Sequence, residues 1–157
     1  WPEAMANARE LLQAKGANAD DKLLSNMVLA RAAQTEKNYD LAISYYKAVA
    51  SANKGAYSAE ARYEIAWCLF EQNKLKDAEK SAFEVINKSG SYERWVTRAY
   101  LLLGDIYMKE HDYFNAKATY QSIVENASIP ELKEEAQHKL KQATEAESKQ
   151  NNISANN

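Results

Sequence analysis

Apolar side chains recur along the chain at steps of three and four, the spacing of a helix face. Three segments repeat the same opening: Tyr39-Asp40-Leu41-Ala42, Leu75-Lys76-Asp77-Ala78 and Tyr113-Phe114-Asn115-Ala116. Ala78 lies 36 residues after Ala42, and Ala116 lies 38 after Ala78. At offsets of four, seven and eight from these alanines come Tyr46, Val49 and Ala50, then Ala82, Val85 and Ile86, then Tyr120, Ile123 and Val124. Each set predicts one buried stripe on a helix.

Upstream of each alanine lies a second stripe. It comprises Leu29, Ala30 and Ala33 in the first unit, Ile65, Ala66 and Leu69 in the second, and Tyr100, Leu103, Gly104 and Tyr107 in the third. Ala30, Ala66 and Gly104 are equivalent, each twelve residues before its alanine. A small residue where two helices cross lets their backbones approach closely, which explains a mid-helix glycine that otherwise costs about 1 kcal/mol. The stripes are joined by short polar turns, Glu36-Lys37-Asn38, Gln72-Asn73-Lys74 and Glu110-His111-Asp112. Turns this short predict antiparallel helix pairs.

The ends extend the pattern. Trp1, Ala4, Ala8, Leu11 and Leu12 repeat the spacing of Tyr39, Ala42, Tyr46, Val49 and Ala50. Residues 1–15 therefore resemble the second helix of a unit whose first helix is missing, as in a piece of a longer protein. Near the other end, Ser128-Ile129-Pro130-Glu131 fits a capping box with proline in the first turn. A helix with Ile129, Leu132, Ala136, Leu140 and Ala143 on one stripe is expected to follow. Its polar remainder suits a helix that covers the last apolar face of a repeat stack. Residues 149–157 have too little apolar content to order themselves and are expected to form a disordered tail.

These units resemble the tetratricopeptide repeat (TPR) family. The third is the nearest match, with Ala99, Leu103-Gly104, Tyr107, Asp112-Tyr113, Ala116 and Tyr120. The family's period is about 34 residues, so the repeats here are longer, and the family's closing proline is absent. The longer repeats are similar to those of multi-repeat TPR proteins of the bacterial cell envelope, which implies a periplasmic or envelope location. The resemblance implies an all-α fold: a right-handed superhelix of antiparallel hairpins, an α-solenoid of about eight helices. Residues 1–148 would form one domain, with repeats at 23–54, 59–90 and 91–127 and a capping helix at 128–148.

In proteins that resemble TPR superhelices, the first helix of each unit lines a concave groove. The implied groove positions are Leu24, Met27, Arg31 and Gln34, then Glu60, Tyr63, Trp67 and Phe70, then Arg98, Leu101, Asp105 and Met108. Tyr63, Trp67 and Phe70 would form an aromatic strip, flanked by Met27, Leu101 and Met108 and rimmed by Arg31, Arg98, Glu60 and Asp105. An apolar centre with a charged rim is how protein interfaces are built, and aromatic and Arg side chains are the common hot spots. The expected ligand is a peptide or an amphipathic helix of a partner protein. Three other readings stay open: a glycan or small-ligand module with Tyr63 and Trp67 as a stacking platform, a structural spacer whose aromatics serve internal packing, and a self-association surface. The family's two-carboxylate clamp, which binds chaperone C-termini, maps onto Met27, Arg31, Glu64, Arg98 and Leu102. Met27 and Leu102 lack the clamp's cations and Glu64 would repel a carboxylate, so that partner is not expected.

Composition narrows the alternatives. Twenty basic and 22 acidic residues give a net charge of −2, without the basic footprint that nucleic acid requires. No apolar run approaches the roughly 18 residues of a membrane span, so direct membrane insertion is not expected. Phosphate-loop, Gly-x-Ser-x-Gly and His-Glu-x-x-His motifs are absent, and neither a catalytic residue nor a cofactor is expected. Glu135 and His138 make a single Glu-x-x-His pair, whereas di-iron bundles use two with further carboxylates; a metal site is not expected. His111 falls in a turn and is expected to be exposed. Cys68 has Glu64 and Glu71 nearby in sequence, and carboxylates raise a thiol pKa, so it is expected to be a packing residue.

Overall fold

The computed structural model describes residues 1–157 as eight α-helices without a β-strand. These are α1 (Pro2–Gln13), α2 (Ala19–Thr35), α3 (Tyr39–Ser51), α4 (Gly55–Glu71), α5 (Leu75–Lys88), α6 (Glu93–Lys109), α7 (Tyr113–Asn126) and α8 (Pro130–Ala155). They divide into two compact units, Trp1–Tyr92 and Glu93–Asn157, where a single domain was expected over 1–148. In the first unit, α1 to α5 each pack on the next helix in the chain. In the second, α7 packs on both α6 and α8, and α8 also touches α6.

The three hairpins α2–α3, α4–α5 and α6–α7 turn in the same way. Each first helix stops at a residue in the left-handed conformation: Lys37 (φ 61°), Asn73 (φ 59°) and His111 (φ 59°). Two backbone bonds close each turn. In the first, Lys37 N–H donates to the Gln34 carbonyl at 2.9 Å and Asn38 N–H to the Ala33 carbonyl at 2.8 Å. Asn73 and Lys74 repeat this onto Phe70 and Leu69, and His111 and Asp112 repeat it onto Met108 and Tyr107. This is the Schellman arrangement, which satisfies carbonyls that the helix end leaves open. The residue after the left-handed one then starts the second helix. Asn38 accepts from the Leu41 N–H at 3.4 Å and Asp112 from the Asn115 N–H at 3.2 Å. Lys74 stands at the same position in the second hairpin and makes no side-chain cap.

Within a hairpin the core is the centre of the expected pair of stripes, while flanking members such as Ala50, Ile65, Leu69, Ile86, Tyr107 and Val124 are half-buried. Ala42, Ala78 and Ala116 are fully buried, as are Val49 and Val85, and Ile123 is nearly so. The crossing-point residues Ala30, Ala66 and Gly104 are also buried. At Gly104 the approach is closest. A Cβ built there would fall 2.3 Å from Tyr120 Cε1 and 2.6 Å from Cζ. Only a residue without a side chain fits under that ring.

The first repeat starts earlier than the apolar stripe indicates. Asn18 caps α2 by accepting from the Asp21 N–H at 2.8 Å, and Asp20 and Asp21 suit the positive end of the helix. In α1, only Ala8 of the expected stripe is buried, while Trp1 and Leu11 are exposed. In α6, Tyr100 of the upstream stripe also lies at the surface.

Two expectations fail at the C-terminal end. Ser128 does not cap α8; the N-cap residue is Ile129, which makes no side-chain cap. The Ser128 N–H and hydroxyl instead both donate to the Glu93 carboxylate at the start of α6. The partner that orients Ser128 is a full charge, and charge-assisted bonds are the stronger ones. The expected tail at 149–157 is also helical as far as Ala155. Once a helix is nucleated, each added residue gains a backbone bond at little cost, so a polar sequence can extend it.

The missing cap in the second hairpin gives a prediction. Lys74→Asp supplies the acceptor present in the other two hairpins and removes a cation from the positive end of α5. Urea denaturation should show a gain of about 1 kcal/mol; no gain would mean that the turn around Lys74 differs from its two counterparts.

Candidate functional site

The expected ligand positions lie on α2 and α4 in the first unit and on α6 in the second. Within each unit the first helices are bridged by polar side chains. Arg31 of α2 pairs with Glu60 of α4 at 2.7 Å, and Gln34 Nε2 donates to Glu64 at 2.8 Å. In the second unit, Lys139 of α8 pairs with Asp105 of α6 at 2.7 Å.

A buried tyrosine stands behind each bridge. The Tyr46 hydroxyl donates to Gln34 Oε1, and Gln34 in turn donates to Glu64. The Tyr120 hydroxyl donates to Asp105 at 2.5 Å, and Asp105 also accepts from Lys139. Tyr46 and Tyr120 hold equivalent places in their hairpins, and both are 1% exposed. In each case a hydroxyl at the end of a core side chain fixes a polar group on the first-helix face, and that group reaches the next helix. The second hairpin has Ala82 here and lacks the device. The apolar period marks both tyrosines as core residues but carries no sign of where their hydroxyls go.

The expected site residues separate into two groups. Met27 is 1% exposed and clusters with Ala61 and Cys68 of α4. Leu101 is 4% exposed and clusters with Leu132 and Ala136 of α8. Both are therefore removed from the ligand-facing set. They occupy the same repeat position, and in both units it is buried in a cluster shared with the second helix of the hairpin and with the helix after it, α4 or α8. A flank of the core stripe can meet either solvent or the next hairpin, and periodicity alone does not separate the two. Leu24 is exposed and Arg31 is largely so. Tyr63, Trp67 and Phe70 are half-buried on α4.

Trp67 is held by a residue outside the expected set. The Tyr39 ring meets it edge-on, with centroids 5.9 Å apart and planes at 78°. Such contacts add about 0.5–1.5 kcal/mol beyond burial, so Trp67 is a preorganised surface rather than a free rotor. In the second unit, Arg98 and Met108 are half-buried, with Met108 packed against the α6–α7–α8 core. The Arg98 guanidinium lies 5.4 Å from the Trp95 ring centroid, and its buried Nε has no hydrogen-bond partner. Asp105 is held by Tyr120 and Lys139.

The reactive residue types sit as follows. Cys68 is fully buried. Burial first, then Glu64 and Glu71, push its thiol up to about 12, which leaves no thiolate near neutrality. His111 is exposed and its Nδ1 lies 2.9 Å from the Tyr113 hydroxyl. His138 is exposed beside Gln142, and Glu135 lies 3.6 Å from Lys139.

With this geometry in place, comparison with known families gives a consistent answer. Residues 33–95 and 97–128 match two models described as tetratricopeptide repeat. The chain belongs to the tetratricopeptide repeat family. No curated protein matches it. TPR repeats generally mediate protein–protein interaction or scaffolding, and TPR domains are typically non-catalytic. No helix is long and apolar enough to cross a membrane.

The buried tyrosines predict a pH response. Burial first, then the carboxylates facing them, Glu64 for Tyr46 and Asp105 for Tyr120, raise both hydroxyls far above their ordinary 10.0. A raised pKa means that the folded state keeps its protons while the unfolded state loses them. The stability is thus complete below pH 10 and falls as pH rises beyond it; Cys68 adds the same sign from its ordinary 9.0. Urea midpoints should begin to drop above about pH 9 through Cys68 and fall more steeply above about pH 10 through the tyrosines. Tyr46→Phe/Tyr120→Phe should flatten that drop, and an unchanged slope would place the hydroxyls in water.

Proposed function

We propose that the chain is a protein-interaction scaffold that takes a partner peptide or helix on the first-helix face of its first unit. The observation that carries this reading is the half-buried strip of Tyr63, Trp67 and Phe70 on α4, within a repeat family whose members generally bind proteins. Its rim is the Arg31–Glu60 pair, 2.7 Å apart. A prefixed aromatic surface loses little side-chain entropy on binding, and that is where interfaces gain affinity. On the corresponding face of the second unit, Arg98, Asp105 and Met108 remain candidates. Glycan binding draws less support, because Glu60 and Asp105, the acceptors it would need, already answer Arg31 and Lys139.

The test is affinity capture from a lysate of the source organism, read by mass spectrometry. The baits are the native chain and a Tyr63→Ala/Trp67→Ala variant shown to be folded by circular dichroism. The expected result is a protein retained by the native bait and lost with the variant. Equal retention would assign the aromatics to packing and favour the spacer role.

A further inference from the structure

A second feature lies on the opposite side of the first unit. Between the second helices α3 and α5, above α4, there is an open cleft of about 590 Å³. Its floor contains Ile43, Ile65 and Leu69. From α5 the walls receive only polar side chains, Asp77, Lys80, Ser81, Glu84 and Lys88. Ile43 is buried, and Ile65 and Leu69 are half-buried against the core, so the cleft reaches apolar side chains that α5 covers only in part.

The charge around the cleft is uneven. Lys47 on one wall and Lys80 and Lys88 on the other are exposed and form no ion pair. Arg62 closes one end. It is fixed by the Ala50 carbonyl at 3.0 Å, by Ser89 Oγ at 2.9 Å and by Asn53. Against these four cations stand only Asp77 and Glu84, an excess of two positive charges in a chain whose net charge is −2. From Asp77 to Lys88 the α5 wall is about 16 Å long at 1.5 Å per residue. That length accepts about three helical turns, and an amphipathic helix buries its apolar face in such a groove through residues at i, i+4 and i+7.

We propose that this cleft is a second docking site, and that it binds an acidic amphipathic helix of a partner protein. Apolar side chains of that helix lie on the half-buried Ile65 and Leu69, and its flanking carboxylates meet Lys47, Lys80 and Lys88. The site is separate from the aromatic strip and does not depend on it. Two partners, or two segments of one partner, can occupy the unit together.

The probe is a synthetic amphipathic peptide of about 14 residues with Leu anchors at helical spacing and Glu on its flanks. It is titrated into the isotope-labelled full chain and followed by amide NMR, beside a peptide with Lys in place of Glu. The expected result is saturable shifts at Lys47, Ile65, Lys80 and Ser81 that weaken with salt. Affinity for the Glu peptide should exceed that for the Lys peptide by roughly tenfold or more. Lys47→Glu/Lys80→Glu, at exposed positions and checked for folding by circular dichroism, should reverse that preference. Trp67→Ala should leave it unchanged. Absent shifts at millimolar peptide, equal binding of the two peptides, or sensitivity to Trp67→Ala without sensitivity to charge reversal would each overturn the proposal. Shifts at these residues that depend on the concentration of the chain alone would make the occupant a second copy and would equally overturn it.

Discussion

Each hairpin depends on one close approach, where its first helix crosses its second at a residue with little or no side chain. At Ala30, Ala66 and Gly104 the backbones come near enough for the facing stripes to bury each other, and these positions are sealed from solvent. Large residues opposite make the requirement stricter. In the third hairpin the Tyr120 ring occupies the volume that a Cβ of residue 104 would need. Protein cores are packed too densely to absorb such a clash without moving a helix.

The crossing also decides what the rest of each helix can do. With one face committed to the hairpin, the flanking positions divide between the next helix and the outside. Met27 and Leu101 go to the next helix and become core. Arg31, Gln34 and Asp105 remain at the edge and bridge to it. Because Tyr46 and Tyr120 reach that edge with their hydroxyls, core packing and surface chemistry share the same side chains. A first-helix face built this way is preset by the interior. The cleft between α3 and α5 follows another rule: α5 contributes only polar residues to its lining, beside the half-buried Ile65 and Leu69.

Much of this architecture is legible in the sequence. The three turns fall on the expected residues because a polar tripeptide stops one helix and starts the next, with Asn38 and Asp112 also capping the second helix in two of them; the left-handed residue itself is unremarkable, as Lys37 and His111 show. The family is legible from the repeating small residue and alanine. The candidate site's burial is legible in part. Tyr63, Trp67 and Phe70 lie half-buried on α4 as a strip, but the assignment of Met27 and Leu101 required knowing the neighbouring helix, and spacing within one helix carries no such information. The Tyr39 contact with Trp67 and the Glu93 acceptor for Ser128 join residues 28 and 35 positions apart, beyond the reach of any local pattern. The helical end of α8 is invisible to apolar content because its last turns bury nothing.

The crossing is most directly tested by a double-mutant cycle at Gly104 and Tyr120, with stability read from urea denaturation. Gly104→Ala in the native background should cost about 1–3 kcal/mol from overpacking. In a Tyr120→Leu background the same change should cost nothing, or stabilise by up to about 1 kcal/mol, because alanine is the better helix former. An equal cost in both backgrounds would contradict the account, since the tyrosine ring would then not be what excludes a side chain at the crossing.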